Sequence, residues 1–151
     1  MNAIAQLLTQ DAIVLTAKPT TKEALFAEAA LALGLRLGMN APLIETCLQA
    51  REQLGSTGLG QGVGIPHGRL KGLKQVAGMF YRLGTPIPFD APDNRPVDLA
   101  FFLLVPEQST EEHLQLLSEL AQGFSDPEFR EKLRSSTDAA EVLKLFASNQ
   151  S

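Results

Sequence analysis

Leu99-Ala100-Phe101-Phe102-Leu103-Leu104-Val105 is an unbroken apolar run bounded by Asp98 and Pro106. A strand with one wet face alternates apolar and polar side chains, so a run without alternation fits a central strand buried on both faces. Upstream, Val76 to Leu83 is similarly rich in β-branched, aromatic and leucine side chains and predicts a second strand. Between them, Thr85 to Pro96 holds Pro86, Pro88, Pro92 and Pro96 and predicts a stiff, ordered loop. Helices are predicted on both sides of this core. After Pro106, Ser109 with Glu112 and Ser125 with Glu128 have capping-box spacing, and Asp138 with Glu141 resembles a further helix start. Before Gly55, Thr20 with Glu23 opens a helix whose Leu25, Phe26, Ala29, Ala30, Leu33 and Leu37 form one stripe, ending at Gly38. A second helix runs from Asn40 as cap, with Pro42 in its first turn, toward Gly55. Ile4 to Leu8 suggests a short helix and Ala12 to Leu15 a short strand. Strands enclosed by helices make a layered α/β domain.

The 151 residues suit one domain, 1–151, with a sizeable core. With 44% hydrophobic and 20% charged residues the chain is of the globular class, and a net charge of −4 argues against a nucleic-acid partner, which requires a basic face. Met1 to Gln6 lacks the basic and apolar regions of a secretory signal, and no apolar run approaches the roughly 20 residues needed to span a bilayer. A cytoplasmic protein without membrane insertion is expected. One cysteine, Cys47, forms no intrachain disulfide, and its place on an apolar stripe with Ile44 and Leu48 predicts a buried core residue. Two histidines, His67 and His113, are too few for a three-histidine zinc site in one chain. Asp90, Asp93 and Asp98 read as loop and strand-start carboxylates, so neither a metal nor an organic cofactor is expected. Glu111 and Glu112 suit the positive end of a helix, and Phe101 and Phe102 belong to the core.

Six of the 12 glycines lie between Gly55 and Gly68, in Gly55-Ser56-Thr57-Gly58-Leu59-Gly60-Gln61-Gly62-Val63-Gly64-Ile65-Pro66-His67-Gly68. Glycine lets a backbone bend sharply and bring its N–H groups close to an anion. Neither a P-loop nor a G-x-G-x-x-G pattern occurs in the segment, which argues against nucleotide binding. Pro66 disfavours the helical region for Ile65, so Val63 to Ile65 should stay extended and present His67 at a strand end. A neutral imidazole there suits a phosphoryl acceptor, because it is nucleophilic near pH 7 and forms a labile phosphoramidate. Such a site needs a guanidinium and donors for the phosphoryl oxygens. Arg51 is placed to supply the first; Ser56, Thr57 and glycine N–H groups, Gly68 among them, the second. On these residues alone, His67 reads as either a reactive group or a surface loop histidine, Ser56-Thr57 as either phosphate ligands or a turn pair, and His113 as a site residue or an exposed helix residue.

The whole segment from Arg51-Glu52-Gln53-Leu54 through Ile65-Pro66-His67-Gly68 resembles the phosphorylation-site segment of fructose/mannitol-type enzyme IIA domains of the bacterial phosphoenolpyruvate-dependent phosphotransferase system. Leu54-Gly55-Ser56-Thr57-Gly58 and the Ile-Pro-His-Gly ending are most similar to its nitrogen-branch regulatory members. The similarity continues through Thr85 to Asp90, Asp93 to Leu99, Leu103 to Pro106 and His113 to Leu117, over almost the whole chain. One departure is Gly64, where the family usually has alanine.

The resemblance implies a three-layer α/β/α domain around a mixed β-sheet. It implies that His67 takes a phosphoryl group from an HPr-like phosphocarrier protein, with Arg51 and His113 as stabilisers and Ser56, Thr57 and Gly68 around the phosphate. In the regulatory branch the output would be phosphorylation-dependent binding of target proteins such as transporters, kinases or other regulators, with Leu59, Val63 and Ile65 as rim or core residues. A monomer or weak dimer is expected. The alternative is a sugar-specific IIA that passes phosphate to a IIB domain of a permease. The Gly-Ser-Thr-Gly run and the lack of a fused IIB or membrane part favour regulation. A non-catalytic binding module is disfavoured by the presence of both His67 and Arg51. Hydrolase chemistry is disfavoured because no base–nucleophile–orienter triad is legible.

Overall fold

The apolar run forms the middle of a six-stranded mixed sheet in the computed structural model, which describes residues 2–148. Residues 1 and 149–151, and with them the ends of the expected 1–151 domain, lie outside the described residues. The strands are β1 (Ile13–Ala17), β2 (Gly58–Gly60), β3 (Val63–Gly64), β4 (His67–Leu70), β5 (Ala77–Ile87) and β6 (Val97–Pro106). The helices are α1 (Asn2–Leu7), α2 (Lys22–Leu37), α3 (Ala41–Gln53), α4 (Thr110–Phe124), α5 (Pro127–Ser135) and α6 (Ala139–Ser148), with a short 3-10 turn at Gln10–Ala12.

Sheet order is β1-β5-β6-β3-β2, with β4 also paired to β6. β5 and β6 are antiparallel, while β1 lies parallel to β5, and β3 and β4 lie parallel to β6. Successive residues of β6 point to opposite faces, as the pleat requires. Phe102 meets Phe26 of α2 at 5.4 Å between ring centroids and Tyr81 of β5 at 5.5 Å. Phe101 and its register partner Phe80 meet Phe146 of α6 at 5.6 and 5.4 Å. Phe80, Phe101, Phe102, Phe26 and Phe146 are all fully buried. Helices α2 and α3 pack on one another over one face; α1, α4, α5 and α6 pack together over the other. The expected three-layer α/β/α sandwich around a mixed sheet is present.

Several local expectations shift. The strand expected at Val76 to Leu83 runs on to Ile87, through Thr85 and Pro86 of the supposed loop. The ladder with β6 changes register between Arg82 and Ile87, and Gly84, Thr85 and Pro86 are exposed there. Proline's missing N–H is therefore tolerated outside the regular pairing. Helix α2 is capped by Thr21, whose hydroxyl accepts the Ala24 N–H at 3.1 Å, and not by Thr20. Helix α5 is capped by Asp126, which accepts the Glu128 N–H at 2.9 Å, and not by Ser125, whose hydroxyl donates back to Gln122 O. Ser109 holds the N-cap position of α4 without a side-chain bond to the helix. Asn40 and Asp138 cap as expected, accepting from Leu43 and Glu141, and Gly38 ends α2 at φ 65°.

Candidate functional site

The glycine-rich segment forms β2, a tight turn, β3 and β4. Gly60, Gln61 and Gly62 all have positive φ at the turn. Gly62 is required twice over: its φ is 81°, and a Cβ there would lie 2.5 Å from the Arg134 guanidinium and 2.8 Å from the Asp98 carboxylate. Those two groups form a bidentate pair that also clamps Gln61 O. Asp93 accepts the Gln61 N–H at 2.8 Å and the Arg95 N–H at 3.1 Å, and these bonds hold its carboxyl below the ordinary value. Asp98 and Asp93 are thus committed to the turn, and Asp90 is exposed beside Lys22.

Strands β3 and β4 pair with β6 in one continuous register, Val63 with Leu99 and His67 with Leu103. Only Ile65-Pro66 interrupts them, because the Ile65 N–H turns away to Thr57 O at 3.0 Å. His67 consequently begins β4, at the strand end that Pro66 predicts. Along β4 the side chains alternate. A Cβ on Gly68 would lie 2.6 Å from Cys47 Sγ of α3, so Gly68 faces α3 and lets the strand approach it closely. His67 and Arg69 point to the opposite face, toward α4.

There the His67 ring stands 5.1 Å from the His113 ring, edge to face. His113 begins the stripe Leu116, Leu120, Phe124 that seats α4 on the sheet, which resolves its ambiguity in the sequence: it faces inward, beside His67. Among the described residues its Nε2 is buried with no hydrogen-bond partner. Burial, with the neighbouring His67 ring and the Arg69 and Arg51 guanidinium groups acting in the same direction, pushes its pKa down to about 4. His67 is 9% exposed. Burial holds its pKa below the ordinary value; the bond to Ile65 opposes this, Arg51 adds to it and Glu52 opposes it. Both imidazoles are therefore neutral at pH 7.

The tautomer follows from one bond. His67 Nδ1 lies 2.7 Å from Ile65 O. A carbonyl only accepts, so Nδ1 carries the hydrogen and Nε2 keeps its lone pair. The ring is a neutral nucleophile with one free nitrogen.

Arg51, in the last turn of α3, donates to Gly55 O at 2.9 Å, which anchors its guanidinium close enough to depress both imidazoles. Ser56 and Thr57 are placed beside the site with their hydroxyls engaged: Ser56 Oγ donates to Phe89 O at 2.8 Å and accepts the Gly58 N–H, and Thr57 Oγ1 donates to Glu52 at 2.6 Å. Of the three rim-or-core residues, Val63 and Ile65 are core, and only Leu59, 45% exposed, is at the surface. Cys47 is half-buried at the contact with β4, not enclosed in the core; its Sγ lies 3.3 Å from Arg69 O, and burial pushes the thiol pKa up. The departure at Gly64 has a physical partner: a Cβ there would lie 2.9 Å from the Phe89 ring.

Sequence reasoning missed two residues. Arg69 shares the face of His67 by the period of two along a strand, and its Nη1 donates to Thr110 Oγ1 at 3.0 Å. Glu52 continues the buried stripe Ile44-Leu48 of α3, and an acid on such a stripe needs a partner. Lys22 provides it at 2.8 Å.

A family model described as "Phosphoenolpyruvate-dependent sugar phosphotransferase system, EIIA 2" matches residues 6–149. The chain belongs to this EIIA 2 family. As an EIIA 2 protein it is 38% identical over 144 residues to a nitrogen regulatory protein of Bradyrhizobium diazoefficiens, covering 95% of this chain and 94% of that one. The crystal structure of the nitrogen regulatory protein IIA-Ntr from Neisseria meningitidis shares its fold with a TM-score of 0.92 at 48% identity, over 95% of this chain and 99% of the other. A fructose-specific EIIA component of Haloferax volcanii is 32% identical over 150 residues, covering 95% and 94% of the two chains. The resemblance seen in Arg51 to Gly68 thus extends through the EIIA 2 fold. Among the described residues of this EIIA 2 chain, no helix is long and apolar enough to cross a membrane.

Proposed function

We propose that this protein is a regulatory component of the nitrogen-branch phosphotransferase system that accepts a phosphoryl group on Nε2 of His67 from an HPr-like phosphocarrier. The observation that supports this most directly is the 2.7 Å bond from His67 Nδ1 to Ile65 O, which leaves Nε2 as a neutral nucleophile. In the reaction the Nε2 lone pair forms the N–P bond as the bond between phosphorus and the carrier breaks, with the electron pair returning to the carrier. Arg51 neutralises charge on the phosphoryl oxygens. His113, kept neutral by burial, adds no repelling cation beside the ring and offers hydrogen-bonding capacity to an oxygen. Ser56 and Thr57 serve the phosphate by fixing the loop, and Gly68 by setting the depth at which β4 carries His67.

The phosphorylated form carries a phosphoryl group of about two negative charges on a ring that is cationic while Nδ1 keeps its hydrogen, where the free form has only a neutral ring, so the two forms bind different partner surfaces. Transporters, kinases and other regulators in the cytoplasm are the targets of this reading, and the similarity to nitrogen regulatory proteins supports regulation. The fructose-specific relative supports the alternative of phosphate transfer to a IIB domain.

The test is incubation with phosphoenolpyruvate, the general phosphotransferase enzyme and an HPr-like carrier, followed by intact mass measurement. Wild type should gain one acid-labile phosphoryl group and His67→Ala none. No uptake by wild type, or equal uptake by the variant, contradicts the proposal. Rapid onward transfer to a IIB domain would select the sugar-transport alternative.

A further inference from the structure

The His67 imidazole stands at the end of a continuous hydrogen-bond chain that begins at the start of α2. Lys22 Nζ, at the start of α2, donates to Glu52 Oε2 at 2.8 Å. Glu52 also accepts both donors of Thr57, the N–H at 3.0 Å and the hydroxyl at 2.6 Å. Thr57 O accepts the Ile65 N–H at 3.0 Å, and Ile65 O accepts the His67 Nδ1–H at 2.7 Å. Every link uses a donor and an acceptor of the correct kind. The carboxylate is the node. Its side chain is 4% exposed and that of Lys22 is 12%, so the pair is largely shielded from water. Lys22 is held in turn, with its ammonium 4.5 Å from the centre of the Phe89 ring, and Phe89 O binds Ser56.

Three donors converge on Glu52, and a neutral amide would keep all three contacts only by reversing the Thr57 hydroxyl bond, with its NH2 donating to Thr57 Oγ1, and by giving up the charge that holds Lys22. Burying an acid here has no packing advantage over the leucine that the stripe Ile44-Leu48 would otherwise continue. What the acid does is fix Thr57, and Thr57 fixes the kink at Ile65-Pro66 that aims the carbonyl at His67. We infer that Glu52, backed by Lys22, is a positioning residue for phosphoryl acceptance: it sets the tautomer and orientation of His67 through Thr57 and Ile65. This rests on the proposed phosphorylation of His67.

The test compares wild type with Glu52→Gln and, as a milder change that keeps the Thr57 N–H bond, Thr57→Val. Two quantities are read. Imidazole 15N NMR of the free proteins should show His67 with hydrogen on Nδ1 alone in wild type and a mixture of the two tautomers in Glu52→Gln. Phosphoryl uptake at saturating HPr-like carrier should fall about 10- to 100-fold in Glu52→Gln, with the half-saturating carrier concentration unchanged. Thr57→Val should move both readouts in the same direction by less, and it decides the matter if Glu52→Gln is unfolded at the assay temperature. Wild-type tautomer and wild-type rate in the folded variants overturn the inference, as does a slower rate with an unchanged tautomer. Absence of uptake by wild type overturns the phosphorylation reading instead, so the two failures are distinguishable.

Discussion

At the scale of single residues, the site consists of neutral imidazoles among guanidinium groups, and each group has a separable effect. Removing the Arg51 charge in Arg51→Ala should raise the pKa values of both His67 and His113, since that charge depresses both. It should slow phosphoryl acceptance about 100- to 1,000-fold, the range for losing one aimed donor to a developing oxyanion. Histidine NMR titration and single-turnover kinetics check the two effects; unchanged kinetics would remove Arg51 from the reaction. Gly68 is a steric prediction. Gly68→Ala drives a methyl against Cys47 Sγ, and overpacking of this kind destabilises by about 1–3 kcal/mol. Cys47→Ala in the same chain should recover most of that loss in urea unfolding. His67, Arg51 and His113 were legible as types in the sequence, but their relation was not, because the 5.1 Å approach of the two rings depends on how α4 seats on the sheet. The role of Glu52 was hidden for the same reason: its partners Lys22 and Thr57 meet it only once α2 and the loop are folded around α3.

At the scale of elements, periodicity identified what packs, and the errors fell at the ends. The stripe Leu25 to Leu33 and the apolar run of β6 were legible because burial on one or both faces imposes a spacing. Caps were placed one residue early at both Thr20 and Ser125, since Thr20-Thr21 and Ser125-Asp126 each offer adjacent capping side chains. Backbone direction chooses between such neighbours, and it is set by the preceding chain. Asp126→Ala should therefore cost about 1 kcal/mol, the usual loss of an N-cap, and Ser125→Ala clearly less. Thermal unfolding of the two variants checks the order, and the reverse order would reinstate Ser125 as the cap. The continuation of β5 past Pro86 was not legible, because whether a proline lies inside or outside the ladder depends on the register with β6.

At the scale of the whole molecule, the fold keeps two histidines neutral, and this couples stability to pH. A histidine whose folded pKa lies below its unfolded value binds fewer protons folded than unfolded, so its contribution is complete above the unfolded pKa and is lost as pH falls. For His113 the window runs from 6.5 down to about 4, and His67 adds in the same direction. Melting temperature should decline across that window, and less steeply in His113→Gln; an equal slope in the variant would mean that His113 is not buried as described. A layered α/β architecture was legible from the order of patterns along the chain and its three-layer form from the family resemblance, whereas the register that joins β3 and β4 into one path beside β6 was not, because short strands carry little pairing information of their own. The bond from His67 Nδ1 to Ile65 O spans the break between those two strands. The central claim is that this bond leaves Nε2 as the phosphoryl acceptor, and it is tested most directly by 15N and 31P NMR of the chain after phosphorylation by the carrier. The account predicts phosphorus bonded to Nε2 of His67, with hydrogen retained on Nδ1. Phosphorus on Nδ1, on His113 or on no histidine would contradict it.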